Sequence, residues 1–187
     1  MAEASARMQG IEANGLAVCS AEPMQAAALR YFEAGGGFAR AVRDATGVAL
    51  PPVLGAVEAG AGELIIAWRS PTETLLLTPS AARLAQLEEQ VAGAGDGCLV
   101  NLSDGLRVLR VTGERISDLL CRLGGTGSIP RPGEARRGRM ADVPVLALCV
   151  RAGETLLVVD RSYAEHLLRW VRETLLDFPP TTSRRLL

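Results

Sequence analysis

ETLLLTPSAARL (residues 73–84) and ETLLVVDRSYAEHL (residues 154–167) are near copies of one phrase, and the reading of that echo decides the fold. In the first copy ELIIAW and ETLLLT flank RSPT, whose Ser-Pro favours a tight reversal. The stretch is therefore predicted to be a β-hairpin followed by a helix from about Ser80. In the second, VPVLALCV and ETLLVV flank RAG, and a helix is predicted from about Arg161. Upstream come LAVCSA and then GFARAVRDATG in one half, LRVLRVTG and then ERISDLLCRLGG in the other. Ile116, Leu119, Leu120 and Leu123 follow the i, i+3, i+4, i+7 spacing of one buried helix face, as do Phe38, Ala41, Val42 and Ala45.

Each half thus reads strand, helix, hairpin, helix. The fold class is α+β, with two pseudo-repeated ferredoxin-like halves of antiparallel sheet and packing helices. A period of about 80 residues is far too long for a solenoid. The expected organisation is a flexible tail over residues 1–14, a first half over 15–94, a second over 95–178 forming one compact unit with it, and a C-terminal tail over 179–187.

The hairpin strands do not alternate as a sheet with one wet face would. Residues 64–68, 145–150 and 156–159 are apolar in succession, which predicts that both sheet faces are dry. Helices would cover one face, and the other half or another chain the second. The last helix carries an apolar arc of roughly 160°, from Tyr163 and Trp170 at one edge through Leu167 and Val171 to Leu168. That width suits either a helix wedged in its own core or one touching a second neighbour.

Composition removes several functions. Basic and acidic residues number 20 and 21, so no global field gathers polyanions, and neither nucleic acid nor a membrane is an expected partner. Every basic residue is arginine, which excludes Schiff-base lysines and a Walker-type phosphate loop. Cys19, Cys98, Cys121 and Cys149 lack C-x-x-C spacing and have apolar neighbours, so they read as buried, reduced thiols of a cytoplasmic protein. No apolar run reaches the ~18 residues of a membrane span, and the opening residues lack the apolar core of a signal peptide.

Candidate chemistry is sparse. His166 is the sole histidine, and the helical wheel puts it on the polar arc with Arg169 and Glu173, a solvated position. The glycine-rich stretches at residues 35–38 and 124–128 lack the strand-to-helix context of a phosphate cradle and read as turns. Ser103 beside Asp104 has no nearby base. No catalytic, cofactor-binding or metal residue is assigned. Residues 124–140 carry Arg131, Arg136, Arg137 and Arg139 against a single Glu134. This segment is either a solvated loop or a Pro-stiffened arginine surface for an acidic partner. With Tyr163 and Trp170, these arginines are the candidate partner interface.

The segments LVNLSDGLRVLRVTGERISDLLCRLG, PRPGEARRGRMADVPVLALCV and ETLLVVDRSYAEHLLRWV, with LPPVLGAV and AWRSPTETLLL before them, resemble the gamma subunit of heterotetrameric sarcosine oxidase. The likeness covers about residues 45–178 and is clearest over 99–171, whereas the N-terminal third follows the family loosely. It implies a fold related to the folate-binding domain of aminomethyltransferases. It also implies a noncatalytic subunit that stabilises an assembly with alpha, beta and delta partners, in which FAD, FMN, NAD, tetrahydrofolate and zinc belong to the partners. Such a complex demethylates sarcosine, or a related N-methyl amine, oxidatively to glycine. The alternatives are a free-standing folate-binding aminomethyltransferase-like protein relying on Asp104 or Asp142, and a ligand-sensing ferredoxin-like module.

Overall fold

A computed structural model describes residues 10–178 other than residue 22. The chain opens with a hairpin of β1 (Ile11–Ala13) and β2 (Leu16–Ser20). Its turn is Asn14-Gly15, both in the left-handed region at φ 53° and 76°, the pair that a two-residue hairpin favours. Then come β3 (Gln25–Tyr31), α1 (Gly37–Thr46), β4 (Ala56–Ala59), β5 (Leu64–Ser70), β6 (Glu73–Thr78), α2 (Ala81–Val91) and β7 (Gly97–Asn101). The second pass is β8 (Leu106–Gly113), α3 (Ile116–Gly124), β9 (Glu134–Met140), β10 (Val143–Cys149), β11 (Glu154–Asp160) and α4 (Ala164–Leu176). β1 falls within the stretch read as a tail, while residues 1–9 and the tail at 179–187 lie outside the described residues.

The echoed phrases form the expected hairpins, β5–β6 and β10–β11, and the helices follow them. Ser80 caps α2 by accepting a hydrogen bond from the Arg83 amide at 3.1 Å. In both repeats the leading glutamate takes an arginine of the neighbouring strand, Arg30 to Glu73 at 3.0 Å and Arg110 to Glu154 at 3.3 Å. The following threonine is buried in each, Thr74 and Thr155, and Thr74 shares a 2.8 Å hydrogen bond with the Tyr31 hydroxyl.

Two antiparallel sheets result, in the orders β1-β2-β8-β11-β10-β9 and β4-β5-β6-β3-β7. Here the expected assignment of strands needs correction. LAVCS does form a strand, β2, but it pairs with β8 of the second repeat, from Leu16 against Gly113 to Ser20 against Leu109. The strand that heads the first repeat is β3, buried at Ala26, Ala27, Ala28 and Leu29. The strand preceding the second repeat, β7, pairs in turn with β3. Each module therefore receives a fifth strand from the segment that precedes the other module.

Three apolar layers follow. One lies between the second sheet's helices and its outer face, with Leu109, Val111, Leu119, Leu157, Leu167 and Val171. Another joins Leu29, Phe38, Val42, Ile66, Leu76 and Leu84 on the first sheet. The middle layer joins the sheets directly through Ala67, Leu75 and Leu77 from one and Leu146, Leu148 and Leu156 from the other. The dry second face predicted from unbroken apolar runs is thus covered by the other half of the same chain. At one side the sheets also meet through backbone, where the Ala56 amide donates to Gly133 O and the Ala135 amide to Leu54 O, each at 2.8 Å.

Two further expectations change. The arginine-rich stretch read as a loop to Met140 is a strand from Glu134 onward, paired along β10. Its alternation was masked because only Ala135 and Met140 are buried. Of the cysteines, Cys149 alone is buried, whereas Cys19, Cys98 and Cys121 are exposed. Apolar sequence neighbours do not share a face, since adjacent strand residues point to opposite sides and adjacent helix residues lie 100° apart. Burial pushes the Cys149 thiol up from its ordinary value.

Candidate partner-binding surface

His166 is half-buried rather than solvated, and it serves the fold. Its Nε2 lies 3.0 Å from Ala141 O, an acceptor, so this nitrogen carries the proton and donates. Ala141 and Asp142 form the two-residue β9–β10 turn at φ 48° and 63°, a conformation costly to residues bearing a Cβ. The Ala141 amide donates to Leu123 O at 2.8 Å at the end of α3. The histidine and the α3 terminus thus clamp a strained turn.

The other polar groups singled out by sequence are also engaged structurally. Ser103 Oγ accepts from the Ala26 amide at 3.1 Å and lies 2.7 Å from Asn101 Oδ1, which fastens the β7–β8 crossover to β3. Asp104 and Asp142 are exposed on turns. At the glycine-rich entry to α1, the Asp96 carboxylate accepts from the Phe38 amide at 2.6 Å, so a side chain of this chain takes the place an anion would occupy. Among the described residues no group of three or more His, Cys, Asp or Glu side chains could hold a metal ion.

The six interface candidates separate into three places. Arg131 and Arg136 line a cleft of about 530 Å3 with Ser117, Thr126 and Pro132. Arg137 points to the opposite face of β9, into a smaller groove at the end of the inter-sheet layer beside Arg69 and Asp160. Arg139 donates to Asp142 O at the hairpin tip that His166 clamps. Trp170 lies 6.5 Å from His166 between ring centroids, and Tyr163 precedes His166 by one turn of α4. Trp170 is 50% exposed and Tyr163 43%, while Leu167, Val171 and Leu175 are buried, so one edge of the predicted arc faces solvent. Arg139 thus reaches the hairpin tip from the inter-sheet side of β9, whereas Tyr163 and Trp170 lie on α4, on the side from which His166 holds that tip.

Glu134 organises the arginine cleft. One carboxylate oxygen accepts from the Arg131 amide at 3.1 Å and from Arg136 Nε and Nη2 at 3.0 and 2.9 Å. The amide hydrogen bond first, and then the guanidinium, hold the carboxyl below its ordinary 4.5. A depressed carboxylate contributes stability that is present above the unfolded value and lost as pH falls through the folded one. Glu134→Gln is thus expected to lower the melting temperature at pH 7, with the difference from wild type shrinking as pH drops below about 4.5. Thermal melts of both chains over that range check it, and a gap unchanged by acid would contradict the assignment.

Sequence reading missed a groove of about 570 Å3 at the far end of β3 and β7, lined by Arg30, Phe32, Thr72, Glu73, Asp96 and Cys98. Phe32 is 85% exposed there. A phenylalanine ending the run LRYF at a strand terminus was the available signal.

Two interlocked ferredoxin-like modules, sheets face to face and helices outside, place the chain in the aminomethyltransferase-like fold class. The glycine cleavage system aminomethyltransferase T from Bartonella henselae superposes with a TM-score of 0.57 at 14% identity, over 85% of this chain and 46% of that one. A chain of the heterotetrameric sarcosine oxidase from Corynebacterium sp. U-96, in complex with pyrrole 2-carboxylate, gives a TM-score of 0.77 at 22% identity, over 90% of this chain and 87% of the other. The sarcosine oxidase subunit gamma of Corynebacterium sp. (strain P-1) is 28% identical over 155 residues, 80% of this chain and 75% of that one. The model of the sarcosine oxidase gamma subunit family matches residues 30–176, and the chain belongs to that family.

Proposed function

We propose that this chain is the noncatalytic gamma subunit of a heterotetrameric flavoenzyme that demethylates sarcosine, or a related N-methyl amine, oxidatively to glycine. Alpha, beta and delta subunits are its partners in the cytoplasm, and FAD, FMN, NAD, tetrahydrofolate and zinc reside in them. The family match over residues 30–176 carries this reading. The engagement of His166, Ser103 and Asp96 in holding strands and helix ends supports a scaffolding role. The arginine cleft at Arg131 and Arg136, Arg137 and Arg139 on the far side of β9, and the α4 edge at Tyr163 and Trp170 are its interface candidates. Exposed aromatic and arginine side chains of this kind anchor protein interfaces.

Asp104 and Asp142, which a free-standing folate-binding protein would need, line none of the clefts described above, and that alternative is not favoured. Co-expression with the neighbouring reading frames, followed by native mass spectrometry, tests the proposal. The expected result is a yellow assembly containing one copy of this otherwise colourless chain. A chain that alone is yellow and oxidises sarcosine, or alone binds tetrahydrofolate below micromolar concentration in calorimetry, would refute it.

A further inference from the structure

We propose that the outer edge of β7 is a strand-addition site, where a short extended segment of a partner subunit pairs antiparallel with residues 97–101 and completes a six-stranded sheet. The inference rests on the subunit reading above.

The two modules superimpose strand for strand in sheet order: β9 corresponds to β4, β10 to β5, β11 to β6, β8 to β3 and β2 to β7. The second sheet has one strand more, β1, paired antiparallel to β2. The matching position beside β7 is empty among the described residues.

The backbone at that edge is set up to receive a strand. The Phe32 amide donates to Asp96 O at 3.2 Å and the Leu102 amide to Ala26 O at 2.8 Å, which fixes the phase of the antiparallel ladder. Even-numbered residues of β7 bond to β3, so the N–H and C=O groups of Gly97, Leu99 and Asn101 point outward. No hydrogen bond to them occurs among the described residues.

The other three edges are closed to such pairing by recognised devices. β9 carries Glu134, Arg136, Arg137 and Arg139, β1 is three residues long, and the entry to β4 is covered by the backbone of Gly133 and Ala135. β7 reads GCLVN, with no charge and no proline. On its inner side Cys98 and the exposed Phe32 border the groove described above, which would seat an apolar side chain of the incoming strand. Residues 1–9 of this chain, MAEASARMQ, lack β-branched and aromatic residues and are a poor strand. The family is one of enzyme subunits, so the occupant comes from a partner.

Hydrogen exchange of the full chain, alone and in the purified complex, reads the three outward amides directly. Alone, the amides of Cys98 and Val100 are expected to be protected and those of Gly97, Leu99 and Asn101 to exchange freely. In the complex the latter three slow at least about tenfold. Cys98→Arg, which places a charge at the exposed edge, is expected to weaken assembly at least about tenfold and leave the isolated chain's melt unchanged, whereas Cys98→Ser assembles normally.

A complex that contains the chain but leaves these amides free overturns strand addition and spares the subunit reading. A chain that enters no complex overturns both. Protection already present in the isolated chain also overturns it: loss of that protection on deleting residues 1–9 assigns the edge to the chain itself, and loss on dilution to a monomer assigns it to a second copy.

Discussion

A chain shortened to begin at residue 23 is expected to show no cooperative melt, although it retains every helix and both echoed hairpins. The removed hairpin supplies β2, whose Leu16 and Val18 are buried in the layer under α3 and α4. Burying two such side chains contributes about 1.5–3 kcal/mol each. Asn14 Nδ2 at the hairpin turn donates to Leu175 O and Phe178 O, both at 3.2 Å, closing the end of α4, and each such bond is worth about 1 kcal/mol net. Removal also exposes an edge of β8 at Leu109 and Val111, now wholly buried. The summed loss is comparable to the ~5–15 kcal/mol that holds a domain folded. Circular dichroism and thermal melts of the shortened chain test this, and a peptide of residues 10–21 added in trans should restore the transition. A native-like melt without the hairpin would mean that the exchanged strand is dispensable.

That strand exchange was hidden from sequence reading for a physical reason. Hairpins join neighbours in the chain, so apolar runs separated by RSPT and RAG revealed β5–β6 and β10–β11, and the 3.6-residue period revealed the buried face of α3. The unbroken run at residues 64–68 likewise announced a face buried against something. What no local pattern states is which strand lies beside which, and β2 and β8 are separated by nearly half of the chain. β3 was overlooked because its core, AAAL, has little β-propensity and is a strand only through burial on both faces. The Asn14-Gly15 pair was a legible hairpin signal that the tail reading passed over.

The candidate surface was legible in part. Exposed Tyr163 and Trp170 lie at the edge of a helical arc whose width signalled a surplus of apolar residues, but not which edge would face solvent. The arginines could be sorted only once β9 was known to be a strand. Alternation then sends Arg137 and Arg139 to the side of Ala135 and Arg136 to the other. His166 was misjudged because the wheel describes its own helix and not the β9–β10 turn that reaches over it.

Leu156→Asp is expected to unfold both halves together, since Leu156 is 1% exposed in the layer the two sheets share. The residue opposite Leu156 on β8 is Arg110, which is already paired with Glu154 at 3.3 Å, and burying a further carboxylate in this apolar layer costs several kcal/mol or forces the layer open to water. Leu156→Ala, which leaves a cavity, should cost about 2–5 kcal/mol and so retain a measurable transition. The chain contains two tryptophans, one in each half, Trp68 on β5 and Trp170 on α4, so single-tryptophan variants report the halves separately. We propose that residues 15–94 and 95–178 form one cooperative unit, because each sheet depends on the other both for a strand and for its inner face. In the Leu156→Ala background the denaturant midpoints read by Trp68 and by Trp170 should therefore coincide and shift equally from those of the parent chain. Two separated midpoints, with only the second half weakened, would show that the modules fold independently and that the middle layer is a contact between domains.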